Sequence, residues 1–439
     1  MTTRRGVAAF GVLVLALGRA SPAAAVVTGQ IFGPGSESFP IAVVPLKNLG
    51  GDTGGELGAR FAQVLSRDLD LSGYFRLLDP KTFIENPQTS GVTAGEIDFV
   101  GWAALGAQAL VKGGVTTSGD TVTVEVRLFD VPGRHDVAQA SRRYSGPRAD
   151  LPRMAHKTAD VILEYLTGER GHFDSAIALV STRGGRLKDV FRFTFDQDEP
   201  VRVTDERSLV VNPRWRPDAR AILFTSYRQH VPHLFQVELP SRQVTRVVPG
   251  PGVVLDGAWS PDGSKLLVTR EEGGNSNIYL FDRGGQLLQR LTDHWAIDVA
   301  PAWAPDGRRF AFCSARAGSP QIYVMSLDGG GLARVSSTGS YNTSPAWSPK
   351  GDRLAWATRG GGGFQIVVAA PDGSGAQTIT SAGSNENPSW APDGRYLVFS
   401  STRAGHAHLF LADRDGKTQK QLTRGAGDDT SPAWSPRLD

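Results

Sequence analysis

The fold class this 439-residue sequence predicts is an all-β six-bladed propeller of four-stranded blades, preceded by a small α/β (α+β) domain. Three observations carry the prediction. A tryptophan phrase recurs at Trp215, Trp259, Trp303, Trp347, Trp390 and Trp434, with successive spacings of 44, 44, 44, 43 and 44 residues. That period fits one small antiparallel sheet per repeat, and sheets repeated radially close into a ring. A set of three strand patterns, beginning near Ile177, precedes the first tryptophan, and five residues follow the last. Strand A of the final repeat is therefore expected to complete the blade begun at Ile177, which removes both free sheet edges.

Taken in order, residues 1–25 read as a secretory leader: Arg4 and Arg5, an apolar run from Val7 to Leu17, and the small-residue site Ala23-Ala24-Ala25. The run is too short to span a bilayer. Residues 26–40 are rich in Gly, Ser and Pro without a period and are expected to form an extended arm. The α/β domain follows over 41–167. Its reading is a buried strand at 41–46, a helix at 55–71 with Leu57, Phe61, Val64, Leu65 and Leu69 on one face, and a strand at 74–78. A short helix at 98–105 comes next, with strands at 109–115, 121–129 and 138–144 and a closing helix at 150–166. Helices are expected on one side of the sheet, and 168–173, with Gly168 and Gly171, reads as a hinge.

The propeller is expected over 174–439. Within one repeat, Pro301-Ala302-Trp303 is strand A, Pro305-Asp306-Gly307 turns, and 309–314 returns as strand B. Strand C spans 321–326, Asp328-Gly329-Gly330-Gly331 turns again, and strand D ends near Val335. A lone four-stranded sheet has two apolar faces and must stack on neighbours, which puts each tryptophan between blades.

The composition is that of an ordinary globular protein, 40% apolar and 21% charged. Removing the leader takes away Arg4, Arg5 and Arg19 and no acidic group, so the formal charge of +3 falls to zero. A neutral mature chain offers no electrostatic reason to bind nucleic acid or an anionic membrane. The single cysteine, Cys313, lies on an apolar strand and reads as a buried, inert thiol. No hydrolase elbow, zincin, Walker or EF-hand pattern occurs. His406 and His408 share a strand face as a metal pair does, but no third ligand accompanies them, so neither cofactor nor metal is expected.

The polar positions of the D-to-A loops are more informative. Asp298, Asn342, Asn385 and Asp429 stand five residues before the tryptophan, and Asn212, Asp256, Ser344, Asn387 and Ser431 stand three before it. These groups, with Asp428 beside Asp429, are expected to ring the channel mouth. They either cap turns or receive a ligand there. The aromatic groups nearby, Trp295 and Tyr341, favour a protein ligand. The B-to-C loops supply Arg183, Arg228, Arg270, Arg316, Arg359 and Arg403, which either bridge to a neighbouring blade's carbonyls or carboxylates or touch a partner.

With these residues in view, the chain resembles the TolB family, the periplasmic component of the Tol-Pal system of Gram-negative cell envelopes. The resemblance rests on Ile41-Ala42-Val43-Val44-Pro45-Leu46, on 106–113, on the blade phrase 312–324 and on the Trp-Ser-Pro-Asp-Gly repeats. It implies a non-catalytic periplasmic adaptor, monomeric and reaching membranes only through partners. The propeller mouth would receive the lipoprotein Pal, and the arm, through Val26, Val27, Thr28, Gly29, Gln30, Ile31 and Phe32, would be recognised by TolA. Envelope integrity, cell division and protein transport are the processes the family implies. The alternative class is an enzyme, a propeller peptidase or a cofactor-dependent sugar dehydrogenase; the first needs a nucleophile motif and the second a channel cluster of His, Arg and metal. Two positions depart from the family phrase: Ala219 replaces a turn glycine and Lys350 a turn aspartate.

Overall fold

The computed structural model describes residues 38–438, apart from residues 53 and 186. The expected leader and residues 26–37 of the arm, including Val26 to Phe32, lie outside the described residues. Six four-stranded antiparallel sheets follow a mixed seven-stranded sheet. The ring closes as expected. Asp429–Trp434 pairs antiparallel with Ile177–Ser181, with Trp434 opposite Ile177 and Asp429 opposite Ser181. We number the blades I to VI, blade I being the one that the C-terminal strand completes.

Each repeat tryptophan is buried between blades, with 6 to 9% of its surface exposed. The indoles also lock neighbours together: Trp215 Nε1 donates to the Ala433 carbonyl at 2.9 Å, Trp303 to Ala258 at 2.8 Å and Trp390 to Ala346 at 3.1 Å. A buried donor that finds a carbonyl in the next blade converts apolar stacking into a fixed angle between sheets.

The A strands carry a local irregularity that sequence patterning does not reveal. In five of the six, the residue three before the tryptophan is left-handed: Asn212, Ala300, Ser344, Asn387 and Ser431 have φ of 54°, 55°, 55°, 54° and 49°. The strand register shifts at the same place. This is a β-bulge, and Asn tolerates its backbone better than most residues do. The asparagines at 212 and 387 thus suit the backbone they occupy.

In the N-terminal domain, Phe39–Val43 lies between Phe75–Leu77 and Ala109–Ser118, parallel to both, and Ala109–Ser118 pairs antiparallel with Thr121–Asp130. Helices α1 (Glu56–Ser72) and α3 (Leu151–Thr167) cover one face, burying Leu57, Phe61, Val64, Leu65 and Leu69 as the period predicts. Helix α2 (Phe99–Ala104) packs Phe99 and Trp102 on Ala42, Val44, Leu110 and Phe129. Because strand side chains alternate, Ile41 and Val43 serve the first layer and Ala42 and Val44 the second. The expectation of helices on one side is thereby corrected. The expected strand at 138–144 begins only at Arg142, after a 3-10 turn at Ala138–Ala140.

This domain sits on the A-to-B turn face of blades V, VI and I, and the two share one apolar core that joins Phe61, Met154 and Phe173 to Phe193, Tyr396 and Trp434. The segment 168–173, expected as a hinge, crosses this seam with His172 and Phe173 fully buried. His172 lies among Phe173, Tyr396 and Trp434, and its Nδ1 meets Asp393 Oδ2 at 2.7 Å. Glu169 is held by Lys350 at 2.6 Å and Arg395 at 2.5 Å. Lys350, which departs from the turn phrase, supplies the ammonium of this contact. Around the rim, Lys420 pairs with Asp70 and Arg67 with Asp198.

Two expected outcomes follow from this geometry. At the turn of blade II, Ala219 is left-handed, with φ 56°, where other blades place glycine. Ala219→Gly is expected to raise stability by up to about 1 kcal/mol in urea denaturation, since glycine relieves the Cβ clash but is more flexible when unfolded. The second concerns His156 on α3, whose Nδ1 lies 2.6 Å from Asp68 on α1 and whose Nε2 lies 3.4 Å from Asp196 of blade I. Burial opposes the charged ring, but the two carboxylates lift it from 6.5 to about 10. A raised folded value means that this contribution is complete below about 6.5 and lost as pH rises through 10. Asp196, which burial pushes up but the His156 contact pulls down more, falls to about 2, so its share is lost only as pH falls through that value. His156→Gln is therefore expected to destabilise the chain most at pH 5 and progressively less toward pH 10. A pH-independent difference between the two melting curves would contradict the charged assignment.

Candidate loop-face interface

The face opposite the N-terminal domain is built from D-to-A and B-to-C loops. Its polar groups begin at the first residue of strand A, where Asp298, Asn342, Asn385 and Asp429 each have no exposed surface. Their partners are the loop arginines. Arg316 Nη2 donates to both oxygens of Asp298 at 3.1 and 3.0 Å, and Arg316 Nε donates to Ser314 Oγ at 2.8 Å. Arg183 reaches Asp429 through Nε at 2.9 Å and Nη2 at 2.6 Å, and Ser181 Oγ donates to the same carboxylate at 2.8 Å. Arg403 Nη2 donates to Asn385 Oδ1 at 2.8 Å and its Nε to Ser401 Oγ at 2.8 Å. Asn342 instead accepts from Trp356 Nε1 at 2.9 Å and donates to Gln321 Oε1 at 2.8 Å.

The assignment of these four residues to an exposed ring is corrected. Asp298, Asn385 and Asp429 each tie the start of strand A to the arginine at or just past the end of strand B of the same blade, whereas Asn342 ties it to strand B of its own blade and to strand C of blade IV; a group with no exposed surface cannot meet a partner directly. Arg183, Arg316 and Arg403 are held as a structural role requires, but the expected bridge to a neighbouring blade is corrected: their carboxylate or amide partner lies in the same blade. One member of the set was invisible at fixed phase: Glu206 takes the place of the strand residue in blade II, where it accepts from Ser226 Oγ at 2.8 Å and from Arg228 Nε at 2.7 Å. The available signal was the Ser-x-Arg triplet at Ser181, Ser226, Ser314 and Ser401. Blades III and V replace it with Thr269-Arg270 and Thr358-Arg359, and both threonine hydroxyls are buried without a partner.

Other predicted residues scatter by depth. Asp256 is 4% exposed, accepts from the Gly257 N–H at 2.8 Å, and is pushed up to about 6, burial outweighing the nearby Arg214 charge. Asn387 bridges two A strands inside the channel, its Nδ2 donating to Ser344 Oγ at 3.2 Å. Asp428 is about half exposed at the rim, where one oxygen accepts from the Ala407 N–H at 3.0 Å and lies 3.6 Å from His406. His408 is turned inward toward Asp429, so the two histidines do not converge. Among the described residues no group of three or more His, Cys, Asp or Glu side chains could hold a metal. Cys313 is buried, and burial pushes its thiol up to about 12.

The face also exposes large apolar groups. Trp295 is 78% exposed and leans on His294, with ring centroids 5.2 Å apart. Ile297 follows it, and Tyr341, 38% exposed, meets Phe364 edge-on at 5.8 Å. With Leu209 and Val231 these residues form an arc on the loops of blades II to V. Two-residue hairpins at Gly273-Gly274 and Gly361-Gly362 extend the B and C strands of blades III and V on the same side. Large apolar groups on otherwise polar loops mark a contact surface.

Comparison with known proteins agrees with this architecture. The model of the TolB beta propeller domain matches residues 163–438, and that of the TolB amino-terminal domain matches residues 27–137. The Tol-Pal system protein TolB of Syntrophotalea carbinolica is 38% identical over 214 residues, covering 49% of each chain. Its counterpart in Anaeromyxobacter dehalogenans is 37% identical over 242 residues, covering 55% of this chain and 54% of its own. The chain thus aligns with about half the length of the curated relatives it matches. A crystal structure of TolB from Acinetobacter baumannii superposes with a TM-score of 0.80 at 26% identity, covering 92% of this chain and 98% of that one.

The buried pair generates its own test. Asp298→Ala leaves the Arg316 guanidinium uncompensated at 14% exposure, and is expected to destabilise the chain by about 3 kcal/mol. Adding Arg316→Leu should recover part of that loss. Urea denaturation of the two single mutants and the double mutant measures the coupling.

Proposed function

This chain belongs to the TolB family, and on that premise we propose that it is a non-catalytic periplasmic adaptor of the Tol-Pal system, with the loop face receiving Pal and residues 26–32 forming the TolA ligand. The observation that carries the first assignment is the two-sided use of the propeller. One end is partly covered by the N-terminal domain, and the other presents Trp295, Ile297 and Tyr341 to solvent. Exposed aromatic anchors supply most of the binding energy in compact interfaces, and a rim of polar groups such as Asp428 fixes their register. The buried Arg–Asp pairs serve this role indirectly, by holding the loops in place.

An extended arm that orders on its partner can be presented or withdrawn at little structural expense, which suits the second assignment. Among the described residues no helix is long and apolar enough to cross a membrane, and the leader-like residues 1–25 support export. The adaptor reading accounts for the family's place in envelope integrity and division without a reaction.

Trp295→Ala and Tyr341→Ala are each expected to weaken Pal binding by tenfold or more, about 1.4 to 3 kcal/mol, while melting stays within about a degree or two. Removing residues 26–35 is expected to abolish TolA binding and leave stability unchanged. Calorimetric titration beside a melting curve tests both. Undiminished Pal affinity in both aromatic mutants would move the site off the loop face.

A further inference from the structure

At the end of the channel opposite the loop face, the six repeat tryptophans and the prolines beside them surround a cavity of about 630 Å³. That volume lies within the range of small-molecule sites, and its wall is built mainly from tryptophan, proline and alanine residues with arginines and serines among them. Among the described residues, the charged side chains of the lining are Arg170, Arg214 and Arg437, with no aspartate or glutamate. Arg437 is oriented by backbone carbonyls, donating to Gly171 O at 2.8 Å and Arg170 O at 3.1 Å. Arg214 makes one long hydrogen bond, from Nη1 to the Pro213 carbonyl at 3.4 Å. The acidic group nearest to it in effect is Asp256, which is buried further up the channel, accepts from its neighbour's N–H, and forms no ion pair with the guanidinium. Trp259, another part of the wall, has a buried indole N–H without a partner, unlike the three indoles that lock neighbouring blades.

A low-dielectric cavity lined by charges of one sign focuses their field onto whatever enters it. A guanidinium with unused donors matches a planar carboxylate or the oxygens of a sulfonate through two parallel hydrogen bonds. Pyrrolidine rings and indole faces offer the body of such a molecule apolar surface.

We propose that this tryptophan-lined funnel binds a small apolar anion, a carboxylate or sulfonate carried on an aliphatic or aromatic body, with Arg214 holding the anionic group and Arg437 supplying a second positive charge. The site is separate from the loop face, so its occupancy does not depend on the adaptor reading. Because Arg170 and Arg437 line it, a bound anion would touch the segment that joins the two domains.

The test uses the whole mature chain. Naphthalene-2-carboxylate is titrated by calorimetry beside its neutral isostere 2-naphthamide, and decanoate beside decanol by tryptophan fluorescence, which reports on the site because six of the nine tryptophans line it. The expected result is saturable one-to-one binding of at least one anion. The matching neutral compound and the Arg214→Gln variant are expected to bind about tenfold more weakly, the scale of one charge-assisted contact. Arg214→Lys should fall between, and Arg76→Gln, exposed on the N-terminal domain, should bind as the wild type does. Which of the two anions binds distinguishes an aromatic from an aliphatic body. Absence of saturable binding by either anion, or equal affinities for acid and neutral compound with no change in Arg214→Gln, overturns the proposal. Melting curves confirm that each variant is folded, and Arg214→Lys keeps the charge if the glutamine variant is not.

Discussion

The pairing of Asp429–Trp434 with Ile177–Ser181 is the constraint on which the rest of the structure depends. Each blade has two apolar faces and can bury them only against two neighbours, so six blades in a row would leave two faces and two strand edges open. Borrowing strand A of blade I from the end of the chain makes the ring continuous, and every repeat tryptophan then has a blade on either side. The closing strand also brings Trp434 against His172 and Phe195, at the seam with the N-terminal domain. One strand pairing therefore closes the propeller and completes the floor on which the other domain sits.

Closure divides the molecule into two ends with different tasks. At the turn end, two residues of the repeated phrase serve the domain that rests there. Lys350 meets Glu169, and Asp393, an ordinary turn aspartate in sequence, receives a buried histidine. At the loop end the arginines of blades I, II, IV and VI form pairs or hydrogen bonds with the acidic or amide group at the base of the adjoining loop. Buried pairs of this kind contribute less to net stability than to geometry, because desolvation offsets most of their attraction. In blade IV that geometry anchors the loop that carries Trp295, since Arg316 holds Asp298 three residues beyond it.

The shared core between the domains also changes how the linking segment is understood. Glycines at 168 and 171 suggested a hinge, yet Gly168 is the left-handed cap of α3 and Gly171 has no room for a side chain, since a Cβ there would lie 2.3 Å from Asp160. Asp160 in turn accepts the N–H groups of Phe173 and Asp174 at 2.8 and 3.1 Å. Close approach and capping use the same residue type as flexibility does, and only the surroundings tell them apart.

The periodic tryptophan, the Pro-Asp-Gly turns and the position of the extra strand set determined blade number, strand order and closure from sequence alone, because each is a local, repeated demand on the chain. The apolar period of α1 likewise named the residues it buries. The role of a polar side chain was not legible in the same way. Asp298 and Asp428 look alike in sequence, yet one is sealed against Arg316 and the other stands half exposed at the rim. Asn387 and Ser344 occupy a bulge that sequence spacing presents as a ring of ligands. Glu206 reaches its arginine from an unaligned position. Burial and partnership depend on which loops fold over which, and that is decided by contacts between residues tens to hundreds of positions apart. The sequence alone thus determined the ring, and the tertiary structure decided which of its polar groups hold it together and which groups face outward.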